Sequence, residues 1–218
     1  MDITSYLLGK NSSGGGGGGG LDWSAIGYDS TPQAIIDGYN YAKQIQEEWV
    51  PIERIGNKFK ENNNIIFMPK IDTSITTNFA YAFNNCTALI TIPLLDTSNV
   101  TSFSSCFSGC HALKEVPLLD TSNVTTFEWA FANCYSLKEV PQFNTSKVTN
   151  FSRAFYSSNF LSDQSLDNIL KMCTNATSYT GTKTLATLGF SSSKYTVSRI
   201  EALPSYQAFL DAGWTIGY

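Results

Sequence analysis

Hydrophobic positions recur with a period of 24 residues from Asp72 onward. Phenylalanines fall at 79, 103, 127 and 151, and again at 83, 107, 131 and 155. Leucines fall at 89, 113, 137 and 161, and prolines at 93, 117 and 141. The polar positions repeat too: Asp72, Asp96 and Asp120 each open an Asp-Thr-Ser run, and Asn144 holds that place in a more degenerate fourth unit. Within a unit, Val124, Phe127, Phe131 and Cys134 are spaced to share one face of a helix of about three turns. Thr121 or Ser122 stands where its N-cap belongs, with Asp120 near the positive end of the helix dipole. The following LKEVPLL is too short for a second helix and reads as a brief strand and turn, interrupted by Pro117. One helix and one short strand cannot bury their own apolar faces. The pattern therefore predicts an α/β solenoid of 24-residue helix–short-strand units over residues 72–161, with neighbouring units burying a continuous phenylalanine core.

The flanks depart from this period and are expected to close the ends. Residues 21–71 hold a predicted helix over 30–49, entered at Ser30 or Thr31 with Pro32 in its first turn, and a worn half-repeat, IIFMPKI, at 65–71. Ile35, Tyr39, Ala42, Ile45 and Trp49 recur on one face of that helix, which either packs on the end of the array or serves self-association through Ile35, Tyr39, Ile45 and Trp49. Residues 162–218 are expected to form an irregular C-terminal cap that begins with a helix at SDQSLDNILKMC. Residues 1–10 carry a small apolar group, Tyr6, Leu7 and Leu8, followed at 11–20 by NSSGGGGGGG. Nothing offsets the backbone entropy of such a glycine run, so it reads as a flexible tether behind a docking peptide.

Composition narrows the function. With 14 basic and 18 acidic residues the net charge is −4, and no Lys/Arg cluster is present, which argues against nucleic-acid binding and attachment to anionic membranes. No stretch approaches the roughly 20 apolar residues that span a bilayer. The N-terminus lacks the pattern of a secretory signal. Five cysteines cannot all pair internally. Cys86, Cys110 and Cys134 share one slot in successive units, and one ligand per unit offers no tetrahedral convergence for zinc, so they read as buried structural residues and no metal site is expected. The aspartate row reads as turns and caps, a calcium ladder being the alternative. His111 is the single histidine, in a slot otherwise filled by Thr87, Tyr135 and Asn159, without a partner for catalysis. No nucleophile, metallopeptidase or phosphate-loop motif is present, and no paired carboxylates recur as a glycosidase needs. The expectation is a protein that is not an enzyme and needs no cofactor.

Recognition is expected where the copies disagree, because there the fold constrains the residue least. Two such rows are Tyr81, Ser105, Trp129, Arg153 and Thr87, His111, Tyr135, Asn159. Tyr81, His111, Trp129, Tyr135 and Arg153 are the candidate ligand-binding residues. If exposed, Trp129 and Tyr135 suit stacking on a sugar ring or anchoring in a protein groove, against the plainer reading of ordinary surface packing.

The units DTSNVTSFSSCFSGCHALKEVP and DTSNVTTFEWAFANCYSLKEVP resemble the BspA-like leucine-rich repeats of bacterial surface proteins, over about residues 65–161. The shared features are the D-T-S-N-V-T start, the F-x-x-x-F-x-x-C face and the following leucine. Ile75-Thr76 and the fourth unit depart from that pattern. The resemblance implies a right-handed solenoid that binds molecules of host or neighbouring-cell surfaces. The N-terminal DITSYLLGK with its glycine run, and the C-terminal LPSYQAFLDAGWTIGY, also look like those of phage tail, baseplate or head-decoration proteins. Together these imply a virion protein assembled in the host cytoplasm. It would join other virion proteins through its N-terminal segment and present the repeats to a host-surface protein or glycan. The alternative is a surface adhesin or interaction module of the bacterial cell.

Overall fold

Where a helix would satisfy its own backbone, the repeat units satisfy one another's. The computed structural model describes residues 59–66, 72–191 and 193–217. The docking peptide with Tyr6, Leu7 and Leu8, the glycine run, the 30–49 helix with Ile35, Tyr39, Ile45 and Trp49, and most of the half-repeat lie outside the described residues.

No helix occurs within residues 72–161, which correct the helix–strand expectation: they are turns joined by isolated parallel bridges. One row of bridges runs Asn78–Ser102–Thr126–Asn150, and Glu115 pairs with Glu139. The reason lies in where the N–H groups go. Those of Phe79, Tyr81, Phe83 and Asn85 donate to the carbonyls of Ser102, Ser104, Cys106 and Ser108 in the next unit, at 2.7–3.0 Å. Those of Ala82, Asn84 and Cys86, in between, donate three residues back within their own unit. The same alternation recurs from Phe103 to Cys110 and from Phe127 to Asn133. Half of the donors thus leave sideways, and an α-helix, which needs every donor along its axis, cannot coexist with this ladder.

The phenylalanines predicted as core are core. Phe59, Phe83, Phe107, Phe131 and Phe155 form one column, with neighbouring ring centroids 5.3–5.5 Å apart. Phe79, Phe103, Phe127 and Phe151 form a second, at 5.5–6.2 Å. All are buried, together with Leu89, Leu113, Leu137 and Leu161. Each such ring contributes about 1.5–3 kcal/mol by leaving water, and aromatic pairing adds about 0.5–1.5 kcal/mol.

The invariant polar letters are spent on backbone. Asp72, Asp96 and Asp120 accept from the N–H two residues on, at 2.9–3.1 Å, and Asn144 does the same at 3.1 Å. These are Asx turns. Thr121 does not cap a helix. Its buried hydroxyl donates 2.8 Å to the Asn144 carbonyl, as Thr73 and Thr97 donate to the Asp96 and Asp120 carbonyls. Asn99 and Asn123 reach back 2.7 Å to the carbonyls of Ser74 and Ser98. The thiols of Cys86, Cys110 and Cys134 donate to the carbonyls of Phe59, Phe83 and Phe107 at 2.8–3.1 Å. Ser158, in the fourth copy of that slot, gives its hydroxyl to the Phe131 carbonyl at 2.6 Å. A buried carbonyl left without such a donor costs about 1–3 kcal/mol.

Beyond Leu161 the contacts continue with different residues. Helix α1 (Asp163–Asn175) starts at Ser162, whose side chain accepts from the Ser165 N–H. Its Ser165 hydroxyl donates to the Lys138 carbonyl and accepts from the Val140 N–H, and its Met172 carbonyl accepts from Thr145. Residues 184–190 lie against the fourth unit: Arg153 and Phe155 donate to the carbonyls of Thr187 and Leu188, and Phe190 stacks on Phe155 at 5.8 Å. Gly189, at φ +91°, permits this approach, since a Cβ there would stand 2.6 Å from the Tyr156 Cα. Two short helices, α2 (Val197–Glu201) and α3 (Tyr206–Asp211), follow, and Trp214 lies against Phe151 and Tyr179. No described helix is long and apolar enough to cross a membrane.

Candidate functional site

The interior offers little chemistry. All five cysteines are buried with free thiols. Burial pushes the Cys86 thiol up to about 12, and holds Cys106, Cys110, Cys134 and Cys173 far above the ordinary thiol range. A neutral buried thiol is neither a nucleophile nor a ready metal ligand. The hydroxyl and N–H of Ser74 lower the Asp72 carboxyl, and the N–H and hydroxyl of Ser122 lower Asp120. Among the described residues no group of three or more His, Cys, Asp or Glu could hold a metal ion. A shallow, open depression of about 510 Å³ lies between the fourth unit and the end of α1, lined by Gln142, Phe143, Asn144, Ser146, Thr174, Asn175 and Thr177. Its uncharged lining brings no reactive group.

The outer rows are built differently. Every unit has two residues at left-handed φ, four apart in the chain. One slot holds Asn85, Gly109, Asn133 and Ser157, at φ +57° to +78°. These include the residue types that tolerate that region best. Gly109 has a second reason, because a Cβ there would meet the Asn85 Oδ1 at 2.1 Å. The other slot holds Tyr81, Ser105, Trp129 and Arg153, at φ +53° to +62°. Side chains with a Cβ cost about 1–2 kcal/mol there, and bulky ones are exceptional. Both slots adopt the conformation, but the first has asparagine or glycine in three of its four copies and the second has neither in any.

That second row gathers aromatic and cationic groups. The Arg153 guanidinium lies 4.8 Å over the Trp129 ring, and Tyr156 meets Trp129 edge-on at 5.6 Å. Trp129 is half-buried by these neighbours, whereas Arg153 and Tyr156 are exposed. At the other end Tyr81 is exposed, with the Lys60 ammonium 6.0 Å from its ring. Ser105, between them, is 9% exposed. In the other expected row, His111 and Tyr135 stack on each other at 4.7 Å and 21°, so each covers one face of its partner, and Tyr135 remains 47% exposed. Thr87 in that row donates 2.7 Å to Asn63.

Tyr156 was not among the sequence-based candidates, and neither was Lys60. The signal for Tyr156 lies in its own slot, where Asn84, Ser108 and Ala132 are small and the fourth copy alone is aromatic. The left-handed φ at Tyr81, Trp129 and Arg153 carried no such signal, since the Asn and Gly at 85, 109 and 133 mark left-handed backbone only at their own positions.

No curated protein and no solved structure matches the chain. Residues 55–187 match the family described as "Mycoplasma protein of unknown function, DUF285". That span takes in all four repeat units, α1 and most of the segment that lies on the fourth unit, and the chain belongs to this family.

Proposed function

We propose that the chain is a non-enzymatic recognition protein in which a leucine-rich-repeat solenoid of the BspA-like kind carries a binding face for a surface protein or glycan. One observation carries the reading. Invariant polar side chains of the repeat are committed to backbone bonds, whereas Tyr81, Trp129 and Arg153, three of the four residues in their row, keep large side chains at left-handed φ against the preference of the backbone. Strain retained without benefit to the fold points to a benefit elsewhere. Exposed Tyr81, Tyr135 and Tyr156 supply the rigid, amphipathic rings that binding surfaces favour.

The carrier on this reading is a virion, with the N-terminal peptide docking the protein onto a tail, baseplate or head and the glycine run as tether. The second reading, an adhesin at a bacterial cell surface, is favoured by the family's description as a Mycoplasma protein. Screening the full chain against arrayed glycans and bacterial surface proteins tests the binding face. Binding is expected, and expected to be lost in Trp129→Ala and Tyr135→Ala variants of unchanged melting temperature. Unchanged binding in both overturns it. Deleting residues 1–20 is expected to abolish incorporation into particles, and normal incorporation of that truncation overturns the virion carrier.

A further inference from the structure

Two arginines among the described residues sit over aromatic rings, and they are used in opposite ways. Arg199 lies 5.4 Å over Tyr195, but its guanidinium is occupied: Nε donates 2.7 Å to Asp163 and an Nη donates 2.9 Å to the Leu161 carbonyl. Arg153 lies closer to its ring, 4.8 Å over Trp129, and no described carboxylate stands in ion-pair contact with it. Its backbone is pinned by the bond to the Thr187 carbonyl at 2.7 Å, and its φ is +55°. A guanidinium held over an indole face can keep N–H donors free, in a planar fork that matches carboxylate and phosphate oxygens. The contact with the ring also restrains the side chain beforehand, which lowers the entropy lost when a ligand binds. Beside it the Tyr156 ring, 44% exposed, offers an apolar shelf.

We propose that Trp129, Arg153 and Tyr156 form a subsite for an anionic sugar, one bearing a carboxylate or a phosphate. Arg153 takes the charged group and Tyr156 takes the apolar face of the ring. This rests on the recognition reading above and names its ligand class. A peptide partner fits less well. The N–H groups of Ser105, Trp129 and Arg153 are already given to Glu128, Ser152 and Thr187, so no free backbone edge remains for an added strand. The face therefore binds through side chains alone, which suits a small rigid ring. A nucleic acid is disfavoured by the net charge of −4.

The test is calorimetry on the full chain with trigalacturonate, its methyl ester, glucose 1-phosphate and a single-stranded oligonucleotide. At least one of the two charged sugars is expected to bind, and which one identifies the anion. The loss of a charge-assisted contact predicts roughly ten-fold or greater weakening in Arg153→Asn, and the same for trigalacturonate on esterification if the carboxylate is the anion. Arg153→Asn suits a left-handed φ, so its melting temperature is expected to match or exceed that of the wild type, which separates lost binding from lost folding. Arg153→Lys keeps the charge without the stacked fork and is expected to fall between, and Tyr156→Ala is expected to weaken binding. The proposal is overturned if neither charged sugar binds, if Arg153→Asn binds the charged sugar as well as the wild type, or if the oligonucleotide binds most tightly. Equal binding of ester and acid, lost in Trp129→Ala but not in Arg153→Asn, overturns the anionic assignment while leaving the recognition face standing.

Discussion

Phe83, Phe107, Phe131 and Phe155 lie two residues along the chain from Tyr81, Ser105, Trp129 and Arg153, on the same strip of backbone and in the same ladder. The inner column is one residue type throughout, stacked at 5.3–5.4 Å. The outer row is four different types at one strained conformation. Both sets give their N–H groups to the next stretch of chain, but only the row stands at left-handed φ, and the two face different surroundings. Inside, the neighbouring ring dictates size and shape. In the row no single residue type is imposed, and what is found there is less compatible with the backbone than asparagine or glycine would be. A position that the fold leaves open yet fills at a cost is where an external partner is best sought.

That contrast can be broken most forcefully from the inside. Phe107→Ala removes a ring held between Phe83 and Phe131. It is expected to lose about 3–5 kcal/mol in denaturant unfolding. A loss below about 1 kcal/mol would mean that the column can close around a gap and is no more specified than the row.

Alkali should act on the interior next. The folded-state pKa of the Cys86 thiol is raised from 9.0 to about 12, and the other four cysteines are raised in the same direction. Raised folded values mean that stability is fully present below the unfolded-state pKa. It falls as pH rises from about 9 toward 12, because unfolded thiols ionise first. The expected cost is on the order of 1 kcal/mol per buried thiol by pH 10. Melting temperature against pH measures it, and Cys86→Ser should remove one share, since Ser158 already makes the equivalent bond.

Thr121→Val leaves the Asn144 carbonyl without its hydroxyl donor. A loss of about 1–3 kcal/mol in chemical unfolding is expected. The smallest effect has the opposite sign. Tyr81→Asn relieves left-handed strain at an exposed site. It is expected to gain up to about 1 kcal/mol, read as a raised melting temperature. A fall would show that the outer row stabilises the stack, and the contrast between row and column would dissolve.

The period, the phenylalanine columns, the leucines and the structural cysteines were all legible in the chain, because burial imposes the same residue on each copy. The local conformation was not. The spacing of Val124, Phe127, Phe131 and Cys134 fits one face of a helix and fits equally a run of turns whose alternate N–H groups bond sideways. Periodicity alone cannot separate them, since it reports which residues face inward and not where the backbone donors go. The deciding clue was the Asn85–Gly109–Asn133 slot, which a helix has no use for. For the candidate site, the row containing Trp129 and Arg153 was visible as disagreement between copies, and so was the row of His111 and Tyr135. Their pairing across units was not visible, nor was Tyr156, because a stack turns residues 24 apart into neighbours only once its register is known.

The closing segment makes the contacts of a further unit with unrelated residues: Phe190 on Phe155, Thr187 under Arg153, Met172 receiving Thr145. It docks on the last unit and on the end of the third, where Ser165 and Asn168 bond to Lys138 and Val140. Removing residues 96–119, or duplicating them, would therefore leave each surviving bond with an equivalent partner and the same terminus to receive it. Units that share 14 of 24 residues in register, as 96–119 and 120–143 do, can be lost or gained whole. The face can thus change length by whole letters, trading a serine for a tryptophan or adding both, without the interior having to evolve in step.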